Sequence, residues 1–543
     1  MKKIIPVFFF KHKIFLLLIF ILSYYSISAQ TSVPSGLVSG QWTLSQSPYI
    51  VEGPIVIAQF TTLSIEAGVH VIFYDTIGLI VHGSLLAIGN ASDSIFFDVN
   101  DTSSFADTNT IDGGWGGIRF YDGVIESVAR INYCVFTHAK TLSYNDTLGN
   151  GAAIYAKNFP DIQISNSRFS HNTAIGFGGA IYYGILTNIL IDSCLINENI
   201  SYNSGGGIAN IGHCNSFITN CKMVNNRVLN NQSTFIGQSG GAFYSSVVDL
   251  SSSYNPILIN NYICNNYANN GGGIYESTPG MKVVGNIICN NKGDGIFCGH
   301  SLSVSQYTNN TICNNGFPVK NPGYFSAGIT TGSEFIKVKN NIIWGNWGSD
   351  VDTVQIKYVM WGQPSFNFIV NNNIQYGDTT NSNISCNPFF VNPSYEAGTT
   401  YNGCQADWSL ADSSISINAG NSDTTGLLLK SYDIKGNPRW YGVHIDQGAI
   451  ENQVVYQSIV ERSNNKIEIL VFPNPATDVV YLKLKSHSQN DYYELYDTQG
   501  RMLKSDRIYS QVNQIYLGGV ARGVYTLIYY SENGRGAARI IRR

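Results

Sequence analysis

Tyr262-Ile263-Cys264-Asn265-Asn266, Ile287-Ile288-Cys289-Asn290-Asn291 and Thr311-Ile312-Cys313-Asn314-Asn315 are one phrase written three times. Its central apolar residue belongs to a longer ladder: Phe136, Phe169, Ile196, Met223, Ile263, Ile288, Ile312 and Ile343. Seven of these eight rungs are followed three residues later by asparagine (Asn172, Asn199, Asn226, Asn266, Asn291, Asn315, Asn346), and the first by Ala139. The rungs are 33, 27, 27, 40, 25, 24 and 31 residues apart. A repeat of about 20–50 residues signals a stacked solenoid, in which one repeat cannot bury its apolar face alone and its neighbours bury it jointly.

Each repeat carries a second piece, a glycine-led strand start. It reads Gly151-Ala152-Ala153-Ile154-Tyr155, Gly178-Gly179-Ala180-Ile181-Tyr182, Gly205-Gly206-Gly207-Ile208, Gly240-Gly241-Ala242-Phe243-Tyr244 and Gly271-Gly272-Gly273-Ile274-Tyr275. Glycine belongs where one coil bends against the next with no room for a Cβ. Asparagine suits a turn, where its amide bonds nearby backbone and stacks on its equivalents. Upstream, from Gly36 to Phe120, short β-rich runs such as Val69-His70-Val71-Ile72-Phe73 are broken by Gly before any helical period is established. These patterns resemble a right-handed parallel β-helix of the kind found in bacterial surface proteins. The resemblance covers roughly Gly36 to Gly377 and implies an all-β fold. It does not imply an activity, because lyases, glycosidases and passive adhesins share this architecture.

Composition agrees. Only 13% of the 543 residues are charged, against about 25% in an average domain. Glycine numbers 54 and tyrosine 34. The net charge of -4 provides no basic field for nucleic acid. Lys2, Lys3, Lys11 and Lys13, the apolar run Ile14 to Leu22 and Ser28-Ala29 read as a secretory signal over residues 1–29. Lys11-His12-Lys13 interrupts the apolar stretch, so no transmembrane span is expected. The ten cysteines mostly share repeat positions: Cys264, Cys289 and Cys313 follow rungs, while Cys134, Cys194 and Cys221 precede them by two. Stacked free thiols are expected there, with Cys386–Cys404 as the candidate bridge.

Two further segments carry resemblances. Asn387-Pro388-Phe389-Phe390-Val391-Asn392, Ser416-Ile417-Asn418-Ala419-Gly420, Asp433-Ile434-Lys435-Gly436-Asn437-Pro438-Arg439 and Ile445-Asp446-Gln447-Gly448-Ala449-Ile450-Glu451 resemble, in that order, a choice-of-anchor-type terminal module that follows such helices. Here Asn387 and Gln447 stand where the pattern has Asp and Ile. The resemblance implies a module closing the open end of the solenoid. Further on, Pro473-Asn474-Pro475, Tyr496-Asp497-Thr498-Gln499-Gly500-Arg501, Gly523-Val524-Tyr525 and the basic tail Arg539-Ile540-Ile541-Arg542-Arg543 resemble the C-terminal sorting domain of the type IX secretion system, a small β-sandwich. That resemblance implies export, binding to the secretion machinery, and a secreted or outer-membrane surface location in a Gram-negative bacterium. The expected organisation is a signal peptide at 1–29, N-terminal coils at 30–130 and a repeat array at 131–383. An end-closing module at 384–457, a linker at 458–465 and the sorting domain at 466–543 follow.

Two classes of site remain. A polysaccharide lyase on this fold needs clustered carboxylates for Ca²⁺ and a nearby base. Glu276, Asp294 and His300, in consecutive coils, are the best candidates for such a cluster. The Asp pair and Gly-His-Gly of the polygalacturonase pattern are missing, Gly299-His300-Ser301 being the nearest fragment. The second class is a column of aromatics: Tyr155, Tyr182, Tyr244, Tyr275 and Phe297 each follow an inward apolar residue, with Ala209 breaking the series. Strand alternation turns them outward, where their faces stack on one another or on sugar rings. The leading expectation is a monomeric, non-catalytic, adhesin-like protein that binds an extracellular polysaccharide or cell-surface glycan and needs no cofactor. The alternative is a Ca²⁺-dependent polysaccharide lyase.

Overall fold

The computed structural model describes residues 30–543 except 142–145, 230–237, 248–254, 279, 300–303, 318–327, 334–335, 349–354, 359–367, 455–466, 489 and 533, and describes only the backbone of 146–147. The expected signal peptide at 1–29 and linker at 458–465 therefore lie outside the described residues. The chain divides into two compact units, Met1–Val454 and Val455–Arg543.

The first unit is a parallel β-helix. Each coil contributes one short strand to each of three long parallel sheets. The first sheet has 13 strands, from Thr31–Val33 to Asn373–Ile374. The second has 12, from Gly36–Leu37 to Ile356–Tyr358, and the third has 12, from Gly40–Trp42 to Ile369–Val370. A fourth sheet of two-residue strands (Lys140–Thr141, Thr173–Ala174, Ile200–Ser201, Arg227–Val228) forms an extra side over four coils.

The sequence ladder is the register of the first sheet. Phe136 pairs with Phe169, Phe169 with Ile196, Ile196 with Met223, and so on through Ile343 to Ile374. All of these side chains point into the lumen, where they form one continuous apolar core. Phe97, Phe136 and Phe169 lie face over face, with ring centroids 4.8 and 4.7 Å apart and planes 3° and 1° from parallel. That spacing matches the separation of adjacent strands, about 4.8 Å, so identical residues at one position stack without adjustment.

The glycine pairs serve the bends as expected. The first of each pair is left-handed: Gly178 (φ +72°), Gly205 (+72°), Gly240 (+69°) and Gly271 (+59°). The second has no room for a side chain. A Cβ on Gly206 would lie 2.5 Å from the Gly241 carbonyl oxygen, and one on Gly241 would lie 2.2 Å from that of Gly272.

Residues 384–451 take a different place from the one expected. They lie along the outer face of the first sheet instead of across the end. Trp408, Leu410, Ile417, Ala449 and Ile450 pack on the outward side chains Cys264, Ile287, Cys289, Cys313 and Ile342. At the last turn of the solenoid the Ile374 N–H donates to the carbonyl of Ile384, so the first residue of the segment completes the final coil before the remainder turns aside. A disulfide joins Cys264 to Cys404 (Cα–Cα 5.9 Å) and corrects the expected Cys386–Cys404 pairing. Cys264 follows its rung by one residue, so it faces outward beneath the lateral segment. Cys386 is free and exposed; Cys134, Cys194, Cys221, Cys289 and Cys313 are free and buried as expected, Cys214 and Cys298 are likewise, and Cys264, expected among the free thiols, is bridged.

The second unit consists of two antiparallel sheets around a core of its own, including Val480, Leu482, Leu495, Ile515, Leu527 and Ile540. The Tyr-Asp-x-x-Gly-Arg motif is a turn. Gln499 and Arg501 donate backbone N–H groups to Asp497 Oδ1, each at 2.9 Å, and Gly500 is left-handed at φ +78°. No helix among the described residues is long and apolar enough to cross a membrane.

Candidate functional site

The aromatic column exists, and its two halves differ. Tyr155 pairs in register with Tyr182, then come Ala209, Tyr244, Tyr275 and Phe297. Alternation does turn these side chains away from the lumen. Successive rings stack at 5.0 Å (Tyr155–Tyr182), 5.1 Å (Tyr244–Tyr275) and 5.3 Å (Tyr275–Phe297), within 12° of parallel. Tyr155 and Tyr182 are nevertheless buried, because Tyr121, Phe177 and Ile211 pack against them and Ala209. This corrects their expected exposure. Phe177 occupies the break at Ala209, its ring 5.6 Å from that of Tyr244. Tyr244, Tyr275 and Phe297 remain half-buried, with an open edge to solvent.

Of the three residues proposed for acid–base or calcium chemistry, Glu276 and Asp294 are described and are not brought together. Glu276 points into the lumen and is fully buried. Its carboxylate accepts from Ser305 Oγ and from Tyr307 OH (3.0 Å), and burial raises its pKa to about 7. Asp294 belongs to the opposite side of the second sheet. It accepts from the Gly271 N–H at 3.1 Å and from the hydroxyl of Thr330, which alternates outward below Phe297. His300 lies outside the described residues. Among the described residues no group of three or more His, Cys, Asp or Glu side chains is placed to hold a metal ion.

The asparagine rungs form a buried wire of amides. Asn172, Asn199, Asn226, Asn266, Asn291 and Asn315 each donate Nδ2 to the Oδ1 of the next asparagine at 2.9–3.0 Å, and the last, Asn346, donates to Gln355 Oε1 at 2.7 Å. Sequence reading missed a second wire: Asn261, Asn286, Asn310, Asn341, Asn372 and Asn383, linked at 2.9–3.0 Å. Its signal was available. Asparagine stands two residues before each later rung, at the position held in earlier coils by Cys134, Ser167, Cys194 and Cys221.

In the doublets, the second asparagine enters a wire and the first is left-handed and outward. Asn265 (φ +60°), Asn290 (+53°) and Asn314 (+54°) donate to carbonyls of Tyr401, Glu396 and Ser394 respectively. Asn309 and Asn340 do the same to Asp446 and Asn421. One repeated dipeptide therefore both closes the turn and fastens the lateral segment. His138 (φ +53°) and His171 (+56°) occupy the same turn position in earlier coils, bonded to Asp98 (2.9 Å) and Glu198 (2.8 Å).

Comparison with known proteins bears on the second unit. Residues 470–543 match the family described as the secretion system C-terminal sorting domain. No curated relative matches the chain. The match agrees in place and motif order with the two-sheet unit described above. The protein is therefore a parallel β-helix carrying a type IX sorting domain, exported to the cell surface or the surroundings of a Gram-negative bacterium.

Proposed function

We propose that the exported β-helix is a non-catalytic, adhesin-like protein that binds an extracellular polysaccharide or cell-surface glycan along its second sheet. The observation that supports this reading is the partly exposed stack of Tyr244, Tyr275 and Phe297, repeated at the coil spacing. The C–H face of a pyranose carries slight positive charge and packs on the negative face of an aromatic ring. Glu276 is enclosed in the lumen, whereas Asp294 lies outside it, bonded to Thr330 below Phe297, so among the described residues these two carboxylates do not face one another.

The test is to incubate the purified protein with a panel of polysaccharides, uronic-acid polymers included, with and without Ca²⁺. Retention and the ultraviolet absorbance of unsaturated products are followed together. Retention without product, weakened about tenfold by Tyr275→Ala, is the expected outcome. Calcium-dependent product would overturn the non-catalytic reading in favour of a lyase.

A further inference from the structure

A second aromatic site lies between the last coils and the lateral segment, well away from the second-sheet column. Here the outward first-sheet positions, Cys264, Cys289 and Cys313, give way to Trp344. The site is an open-sided cleft of about 390 Å³. Trp344 and Trp347 come from the coil, while Phe389, Phe390, Tyr395 and Trp408 come from the segment at 384–451. Trp408 is buried and forms a floor, with the Phe390 ring edge-on to it at 5.1 Å. Around it stand rings that the fold leaves in water: Trp347 is 41% exposed, Phe389 49% and Tyr395 82%.

Phe389 is held left-handed at φ +50°, a conformation that costs a bulky residue energy and places its ring at the mouth. Its N–H donates to Asn387 Oδ1 at 2.9 Å, which stabilises the turn. Polar groups sit between the rings. Asn314 donates to Ser394 from one wall, and on the other Tyr401 OH donates to Glu396 Oε2 at 3.0 Å. Concave, mostly apolar pockets of about 300–1,000 Å³ with a few fixed polar groups are the usual form of a small-ligand site.

The charge of the lining selects the ligand. Glu396 brings a carboxylate, and no Lys, Arg or His is among the described lining residues. An anionic sugar would meet repulsion with no cation to offset it. A ligand offering flat C–H faces and hydroxyls, without charge, meets the rings and the Glu396 carboxylate on favourable terms, while Asn314 and Ser394 hold the wall through bonds to each other and to Asn290. We infer that this cleft is a binding site for a neutral pyranose, in a free sugar or in a chain, separate from the second-sheet column.

The experiment is affinity electrophoresis of the full chain through gels containing neutral polysaccharides (a glucan, a mannan) or anionic ones (polygalacturonate, alginate), with tryptophan fluorescence as a second readout. The expected result is retardation and a fluorescence change with at least one neutral polymer. Trp347→Ala and Tyr395→Ala should each weaken binding about tenfold or more without lowering the melting temperature, since both side chains are exposed. Retardation by anionic polymers alone, unchanged retardation in both cleft variants, or no neutral polymer bound would overturn the assignment. So would self-association of the protein that disappears with Trp347→Ala, which would give the cleft to a second copy of the chain. If Tyr275→Ala alone abolishes binding, the cleft falls while the second-sheet reading stands.

Discussion

Asn291 shows how much one side chain carries here. Its Nδ2 donates to the Ile263 carbonyl and to Asn315 Oδ1, and its Oδ1 accepts both the N–H and the Nδ2 of Asn266, all at 2.9 Å. Asn291→Ala leaves these partners buried and unsatisfied, at about 1–3 kcal/mol for each stranded group. The expected loss is about 3 kcal/mol or more, read from the urea midpoint. Glu276 adds a pH dependence. Its folded pKa is about 7 against an ordinary 4.5, raised by burial despite the donors Ser305 and Tyr307. Below about pH 4.5 both folded and unfolded chains are protonated and burial carries no ionic cost. Between about pH 4.5 and 7 only the unfolded chain ionises, so stability falls as pH rises, by on the order of 3 kcal/mol in all. Glu276→Gln should melt with wild type at pH 5 and above it at pH 8.

At the scale of elements, the lateral segment is fastened by the Cys264–Cys404 bridge and by the row of outward asparagines. Cys404→Ser should make residues 384–451 sensitive to protease at concentrations that leave the solenoid intact. The bridge spans 140 residues, for which chain-entropy arguments give a stabilisation of about 4–5 kcal/mol. A maleimide should label one thiol per native molecule, Cys386, and the remainder only after unfolding. Labelling at several sites would mean that the thiol columns Cys289–Cys313 and Cys194–Cys221 are open. The rungs, the glycine bends and the first asparagine wire were legible in the sequence because each repeats at one position per coil. The covering of Tyr155 and Tyr182 was not. Phe177 stands outside the repeat and nothing in its neighbours marks it.

At the scale of the whole molecule, each of the two units has its own hydrophobic core. A chain lacking residues 470–543 should keep the melting transition of the β-helix and lose its surface location, accumulating in the periplasm on cell fractionation. A deleted chain that still reached the surface would show that export does not depend on this domain.

Side-chain periodicity was enough to establish the stacked solenoid and its register, and the motifs of the sorting domain gave the exported address. In a solenoid each coil's contacts are with the same positions of the next, so local pattern and tertiary contact carry the same information. The disulfide partner of Cys264, the lateral course of residues 384–451 and the aromatic cleft at Trp347 depended on the folded molecule. These join residues more than a hundred positions apart, or a coil to a non-repeating segment. No period records such contacts; only the shape and the exposed chemistry of the finished surface select them.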